Sequence, residues 1–428
     1  MKKYINRKVT AVIAITTVLF SCGGQESSTI NLGNQLTGYV SSFTSSSMGS
    51  DLANDTLYVV NDATRRIYGI AMDKFEITRE FKSPVGESGG EPMGLIAGPD
   101  GKSMIVIAKN QYAIVRQDDS VQVNPVRMQG RIQSYAFSKD AGVLVMSDHL
   151  GSLALIKIAD DGSVGESLLV GAFFLPESSK RIKSAIVIPG SEKMILLTNE
   201  SDLYVLDLSG SIKAQELQIS PVQLPRVMQF DSIMPIPGNP DRILVREFRT
   251  LAIVDYVAGE IIEEVTPDET MTFVAEFSSR WPHVAFAKSN QSYYPTFSNR
   301  TESIKDIGDF KDILVYMVGP KGNISKHKLN VEYGTPVQSY VDAAGESITY
   351  LSLDRRNERS VSKVRLSDSL YLGRVDELSV GKVTLTEKHV VVVRNSVMGA
   401  MSRIETQRSE NVVTLEGFNL ENIKRATN

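Results

Sequence analysis

Cysteine is almost missing from this chain: Cys22 is the only one in 428 residues. One cysteine excludes an intramolecular disulfide and leaves too few thiolates for an iron-sulfur cluster. Histidine is scarce too. His149, His283, His327 and His389 stand far apart and none pairs with another at metal-ligand spacing, so no metal or cofactor is expected. Phosphate-cradling loops are absent as well, since Gly86 to Gly90 and Gly162 to Gly165 read as turns without a strand-to-helix setting or a following lysine. The chain has no long helix-period segment, and its one sustained apolar run, Ala11 to Phe20, is too short to span a bilayer.

Positive charge is not in excess either. Removing Lys2, Lys3, Arg7 and Lys8 from 46 basic residues leaves 42 against 50 acidic, a formal net charge of −8 for the chain after residue 21. Such a balance argues against nucleic-acid binding, and against adhesion to an anionic leaflet by charge alone.

What the start does contain is ordered: four basic residues, the apolar run, Leu19-Phe20-Ser21, then Cys22 followed by Gly23-Gly24. This is the layout of a secretory signal. It resembles the processing site of bacterial lipoproteins, in which the cysteine becomes the new N-terminus and is acylated. The resemblance implies a signal peptide over 1–21 and palmitate-type acylation of Cys22, a firm anchor when two or more chains are attached. A plain signal peptide cut near Ser21 is the alternative. Gly23 is not the aspartate that favours inner-membrane retention in enterobacterial lipoproteins, so the resemblance implies the outer membrane, facing the periplasm. Residues 22–38, polar and without a sustained period, read as the lipidated start and a flexible linker.

From 39 to 421 the sequence is rich in short Val/Ile/Leu/Tyr runs separated by turns. SYAFSKDAGVLVM from Ser134, SAIVIPGSEKMILL from Ser184, SIMPIPGNPDRILV from Ser232 and SYVDAAGESITYL from Ser339 overlay as strand, turn, strand. With weaker copies, the first firmly apolar positions of the second strands are Leu57, Met104, Val143, Met194, Ile243, Val284, Ile348 and Val390, spaced 39 to 64 residues apart. Third and fourth strands often follow, for example DLYVLDL and GEIIEEV. NVVTLEG near the end reads as a fourth strand. The expectation is all-β: a β-propeller of four-stranded blades, eight favoured and seven the alternative. A polar insert at 290–309 stretches the sixth unit, and 422–428 is a tail.

Two groups of candidate binding residues emerge. Before four inner strands a polar residue precedes a serine: Gln133, Lys183, Asp231 and Gln338. These would form a partial polar ring at the propeller axis, with Met93 and Met271 in register as an apolar sector. The alternative is that the serines satisfy strand ends and their neighbours solvate the channel. The second group is aromatic: Trp281 near a turn, and Tyr293, Tyr294 and Phe297 in the insert, which would supply contact area for a partner or fold back on their own blade.

Catalysis by a serine, histidine and aspartate from distant loops, or by a carboxylate calcium site as in propeller lactonases, has Asp118, Asp119, Asp140, Asp160, Asp161 and Asp354 to draw on. All read as turn aspartates, and no enzyme activity is expected. The general plan resembles the propeller lipoproteins that accompany the outer-membrane β-barrel assembly machinery, without their Ala-Leu-Asp and Gly/Trp repeat signatures. The resemblance implies a membrane-tethered scaffold, monomeric outside its complex, that binds an envelope protein or extended segment. A lactonase-like enzyme and a cell-wall glycan-binding module are the alternatives.

Overall fold

A computed structural model describes residues 27–35, 40–45, 56–61, 66–71, 74, 76–84, 94–100, 103–108, 110–116, 118–171, 174–175, 182–226, 228–247, 250–267, 271–278, 282–288, 312–319, 322–330, 335–342, 344–353, 359–378, 381–385, 389–398 and 410–419. Cys22, Met93, Trp281, Tyr293, Tyr294, Phe297 and the 290–309 insert lie outside them.

The first strand, β1 (Ser27–Gln35), pairs with the last one in the chain. Then come seven sheets in chain order, each an antiparallel meander of four strands. The first contains β2 (Val40–Ser45), β3 (Thr56–Asn61), β4 (Arg66–Ala71) and β5 (Glu76–Lys82). The second contains β6 (Gly94–Ala97), β7 (Met104–Ile107), β8 (Gln111–Val115) and β9 (Val121–Pro125). The third contains β10 (Ile132–Ser138), β11 (Val143–Asp148), β12 (Leu153–Ile158) and β13 (Val164–Val170). The fourth contains β14 (Ile182–Val187), β15 (Lys193–Thr198), β16 (Leu203–Asp207) and β17 (Gln218–Pro221), with the helix α1 (Leu208–Ala214) before β17. The fifth contains β18 (Ser232–Pro235), β19 (Arg242–Glu247), β20 (Thr250–Asp255) and β21 (Glu260–Val265). The sixth contains β22 (Met271–Ser278), β23 (Pro282–Lys288), β24 (Asp312–Val318) and β25 (Ile324–Asn330). The seventh contains β26 (Thr335–Val341), β27 (Ser347–Leu353), β28 (Arg359–Arg365) and β29 (Tyr371–Leu378).

The eighth sheet differs. It runs β30 (Gly381–Leu385), β31 (His389–Met398), β32 (Glu410–Asn419), and its fourth strand is β1 from the other end of the chain. Two sequence expectations change here. NVVTLEG is a third strand, and Ser27–Gln35, expected as part of the linker 22–38, is an antiparallel partner of β32. The reason is that an outermost strand needs few apolar residues, so a polar segment serves.

Burial follows strand position. Middle strands such as β7, β8, β11 and β12 are buried along most of their length, because both sheet faces are covered by neighbours. Outermost strands alternate, as in β9 and β21, where every second side chain is exposed. Among the described residues, six apolar layers join the seven sheets in order. Met104 and Ile67 fill the first layer, Ile105 and Leu144 the second, Val145 and Leu196 the third. Leu197 and Val245, then Ile253 and Tyr316, then Val315 and Tyr350 continue the series. Truncating one such side chain, Ile253→Ala for example, should cost about 2–5 kcal/mol.

First strands of successive sheets touch: β2 with β6, β10 with β14, β14 with β18, β22 with β26, β26 with β30. They form the inner layer. Between β6 and β10 the approach is close enough to require glycine, since a Cβ on Gly94 would overlap the Tyr135 ring. The two ends of the sheets are thereby defined. The connections between sheets and the turns from second to third strands lie at one end, the inlet face. The turns from first to second and from third to fourth strands lie at the far face.

The helix α1 was not expected from sequence. Asp207 caps its N-terminus, its Oδ1 accepting the Gly210 N–H at 2.7 Å, and Gln215 ends it in the left-handed region at φ 53°.

Candidate functional site

The inlet face carries the predicted polar positions. Gln133 lies on β10 where pairing skips from Ile132–Asp148 to Ser134–Ser147, and Lys183 lies at the matching skip of β14, between Ile182–Thr198 and Ser184–Leu197. Both are β-bulge residues. A bulge leaves its extra residue out of the ladder and re-aims its side chain, a device common beside binding sites. Asp231 sits one residue before β18, with its N–H donating to the Arg246 carbonyl at 2.8 Å. The bulge of β26 falls one residue earlier, at Val337, and Gln338 pairs with Leu351 in the ladder. Met271 is the first residue of β22.

The structure brings Lys183 of the fourth sheet to the residue preceding Asp231 of the fifth. The exposed Lys183 Nζ donates to the Phe230 carbonyl at 3.1 Å, and the Ser201 hydroxyl donates to the same oxygen at 3.5 Å. Asp231 is also paired with Arg246, whose guanidinium nitrogen lies 3.1 Å from Oδ2. Arg226 bridges Glu247 at 3.3 Å and Glu264 at 2.7 Å, and Glu247 accepts the Gln229 N–H at 2.8 Å. Pairs this exposed contribute about 1 kcal/mol or less to stability, so their charges remain usable by a partner.

Sequence reasoning missed Arg246, Glu247, Asp148 and His149. They come from the ends of second strands and the turns that follow. A search for polar residues just after each second-strand marker would have found them.

Asp148 is the buried member, 4% exposed. Its Oδ2 accepts the Gly130 N–H at 2.8 Å, and its Oδ1 accepts those of Leu150 at 3.0 Å and Ser152 at 2.8 Å. Burial opposes its ionisation, but the hydrogen bonds from Ser152, Gly130 and Leu150 outweigh burial and hold the carboxyl below its ordinary value. His149 Nδ1 accepts the Arg131 N–H at 3.2 Å. A Cβ on Gly130 would come within 2.7 Å of that nitrogen, which explains the glycine. The connection leading into β10 is therefore fixed just before Gln133.

One serine and histidine do meet: His283 Nε2 and Ser339 Oγ are 2.6 Å apart, 0% and 5% exposed. The pair is closed off from solvent and ties β23 to β26. Among the described residues, no group of three or more His, Cys, Asp or Glu side chains is placed to hold a metal ion.

The far face has a different character. Its described turns expose Asp118, Asp119, Asp140, Asp160, Asp161 and Glu192, against Lys74, Lys139 and Lys213. Asp118 and Asp161 are held below the ordinary carboxylate value, first by the hydroxyls of Ser120 and Ser163 and then by the backbone N–H groups of the same residues. A cleft of about 350 Å³ opens there beside α1, lined by Lys157, Gly165, Glu166, Ser209, Ile212 and Lys213.

No protein-family model matches the sequence, and no curated protein sequence is similar to it. Solved structures do match in shape. A dihydro-heme d1 dehydrogenase, NirN, in complex with DHE superimposes with a TM-score of 0.56 at 15% identity, over 87% of this chain and 76% of that one. The WD40 domain of SCAP from fission yeast gives a TM-score of 0.53 at 12% identity, over 93% of this chain and 99% of the other. WD40 repeats build propellers. The fold is an all-β propeller. At these identities the likeness extends to the fold alone.

Proposed function

We propose that this protein is an eight-bladed propeller, tethered by lipid on Cys22 to a bacterial outer membrane on its periplasmic side, which binds an envelope protein or an extended segment of one without catalysis. Each four-stranded sheet is then one blade, and β1 completes the eighth to close the ring. The order of charges at its start supports the anchor, and the eight strand-turn-strand units support the blade number.

The observation that carries the binding role is the inlet face. Lys183, Asp231, Arg246, Arg226 and Glu247 from adjoining sheets present both signs of charge there, and two of the inner strands bulge at Gln133 and Lys183. Lys288, which pairs with Met271, and Asp312, the described strand ends on either side of the candidate aromatic insert in the sequence, lie at the same side. Mixed charge around a few aromatic anchors is the composition of a protein-binding surface rather than of a nucleic-acid one.

The test is a crosslinked pull-down from envelopes. The double variant Lys183→Glu with Arg226→Glu should lose one defined partner that the wild type captures, while Asp160→Lys with Glu192→Lys on the far face should retain it. A partner captured equally by all three refutes the inlet assignment. Intact mass of the mature protein checks the anchor separately, and an unmodified Cys22 refutes it.

A further inference from the structure

We infer that the strand completing the last sheet is also the tether, and that it turns the inlet face away from the membrane. The inference rests on acylation of Cys22 and goes beyond it, to the orientation of the bound disc.

The registers fix the geometry. Leu385, the last residue of β30, pairs with Val390, Val390 with Phe418, and Phe418 with Ser27. The start of β1 therefore lies in the far-face row of its sheet. Its other end, Gln35, pairs with Asn411 in the row that continues to Val397, at the inlet side, from which the chain passes to Val40 of the first sheet. Had the strand run the other way, the anchor would emerge on the inlet face, the face that carries Lys183 and Asp231.

The tether is also short. Residues 23–26 alone separate Cys22 from Ser27, so the far-face corner of the eighth sheet sits within about 17 Å of the acylated residue even when those residues are fully extended. A linker through residue 38 would have allowed any orientation, with a root-mean-square reach of roughly 22 Å and a far longer maximum. Because β1 is the outermost strand of its sheet, the attachment is at the rim, not the axis.

Charge acts against the tether and limits how closely that face approaches. The described far-face turns are acidic, so an anionic bilayer repels them and the disc does not lie flat on that face. It stands from the rim with its inlet face toward the aqueous compartment. The partner chemistry this orientation admits is an aqueous-phase polypeptide, or the part of an envelope protein that projects from the membrane, rather than a lipid headgroup.

The experiment uses full-length acylated protein on phosphatidylethanolamine/phosphatidylglycerol vesicles carrying a headgroup-attached fluorescence acceptor. Donor dyes are placed on Leu150→Cys or Asp160→Cys, exposed turn residues at opposite ends of β12. The six residues of β12 separate the two sites by roughly 20 Å, and the Asp160→Cys donor should show about twofold greater energy transfer. Equal transfer, or greater transfer from Leu150→Cys, overturns the orientation. Inserting a long Gly/Ser segment after Gly24 should abolish the difference, and a difference that survives the insertion overturns the tether as its cause. Intact mass of each preparation keeps the two readings apart. Acylated protein with equal transfer fails the orientation alone, whereas unacylated Cys22 fails the anchor.

Discussion

The inlet face and the far face are made from the same short turns and the same aspartates, yet they do different things with them. At the far face, turn carboxylates point to solvent and cap their own turns, as Asp161 does by accepting the Ser163 N–H at 2.8 Å. The turns themselves are joined from sheet to sheet. Arg79 reaches Asp119 at 2.6 Å, Arg116 donates to the carbonyls of Asp161 at 3.1 Å and Gly162 at 3.0 Å, and Asp140 accepts the Gly190 N–H at 2.8 Å. At the inlet face, Asp148 turns inward and anchors the incoming connection, while Lys183, Arg226 and Arg246 stay near the surface. One face is a stitched base and the other a presented surface. Position in the meander explains the contrast: far-face turns join strands of one sheet, whereas the inlet receives the connections between sheets, which are free to vary in length and content.

The largest break in this comparison should come from β1, because it serves the fold and, on the proposed reading, the anchor. Replacing residues 27–35 with a Gly/Ser sequence of equal length leaves β32 as an exposed edge and removes the ladder that joins the two ends of the chain. With each lost hydrogen bond contributing about 1 kcal/mol, the Tm should fall by on the order of 10 °C. Calorimetry and size-exclusion chromatography would measure the loss and the accompanying association. An unchanged Tm would mean that β1 does not complete the eighth sheet.

Asp148 and Asp161 sharpen the comparison at the level of single residues. Asp148→Ala removes a buried carboxylate that accepts three backbone N–H groups and should cost about 3 kcal/mol in urea unfolding. Asp161→Ala, at an exposed turn, should leave the midpoint nearly unchanged. The pH dependence has a definite sign. The folded value of Asp148 is depressed, so its contribution is fully present above the unfolded carboxylate pKa of about 3.9 and is lost as pH falls from there through the folded value. The wild type should therefore lose stability in that acid window, and Asp148→Ala should lose less. Parallel acid profiles for the two proteins would remove Asp148 as the cause.

How much of this was legible in the sequence depends on locality. Each of the eight second-strand markers, from Leu57 to Val390, falls inside a second strand, because a strand covered on both faces, as β7 and β11 are, must be largely apolar. The opposite holds for SSTINLGNQ, a fourth strand whose partner lies almost four hundred residues away. It has little apolar content to show and no local period that reveals a distant pairing. The seven-residue α1, LSGSIKA, was missed for a related reason: it is short, contains a glycine and owes its place to Leu208 and Ile212 packing on the third and fourth sheets. At the site, Gln133 and Lys183 were visible because the residues around them repeat. Arg246 and Asp148 were not, since they enter the face from the C-terminal ends of second strands and only the register brings them to the end where the repeated residues lie.

The smallest effects separate stitching from presentation most cleanly. Arg79 and Arg246 are comparable in burial, 16% and 13% exposed, and each pairs with an aspartate, Asp119 at 66% and Asp231 at 39% exposure. Ion pairs with such exposed partners contribute about 1 kcal/mol or less, so Arg246→Ala should shift the urea midpoint only slightly, and Arg79→Ala somewhat more, because its guanidinium also donates to the Arg116 carbonyl and lies 5.2 Å from the centre of the Phe81 ring. Their effects on partner capture should diverge. On the proposed reading, removing Arg79 alters the face that does not take up the partner, whereas removing Arg246 takes away the cation paired with Asp231 and changes the charge pattern of the inlet. Capture should be retained by Arg79→Ala and weakened by Arg246→Ala, with the loss growing at low ionic strength, where charge complementarity weighs most. If both variants bind equally well, the mixed charges of the inlet serve its connections only, and recognition falls to the aromatic insert.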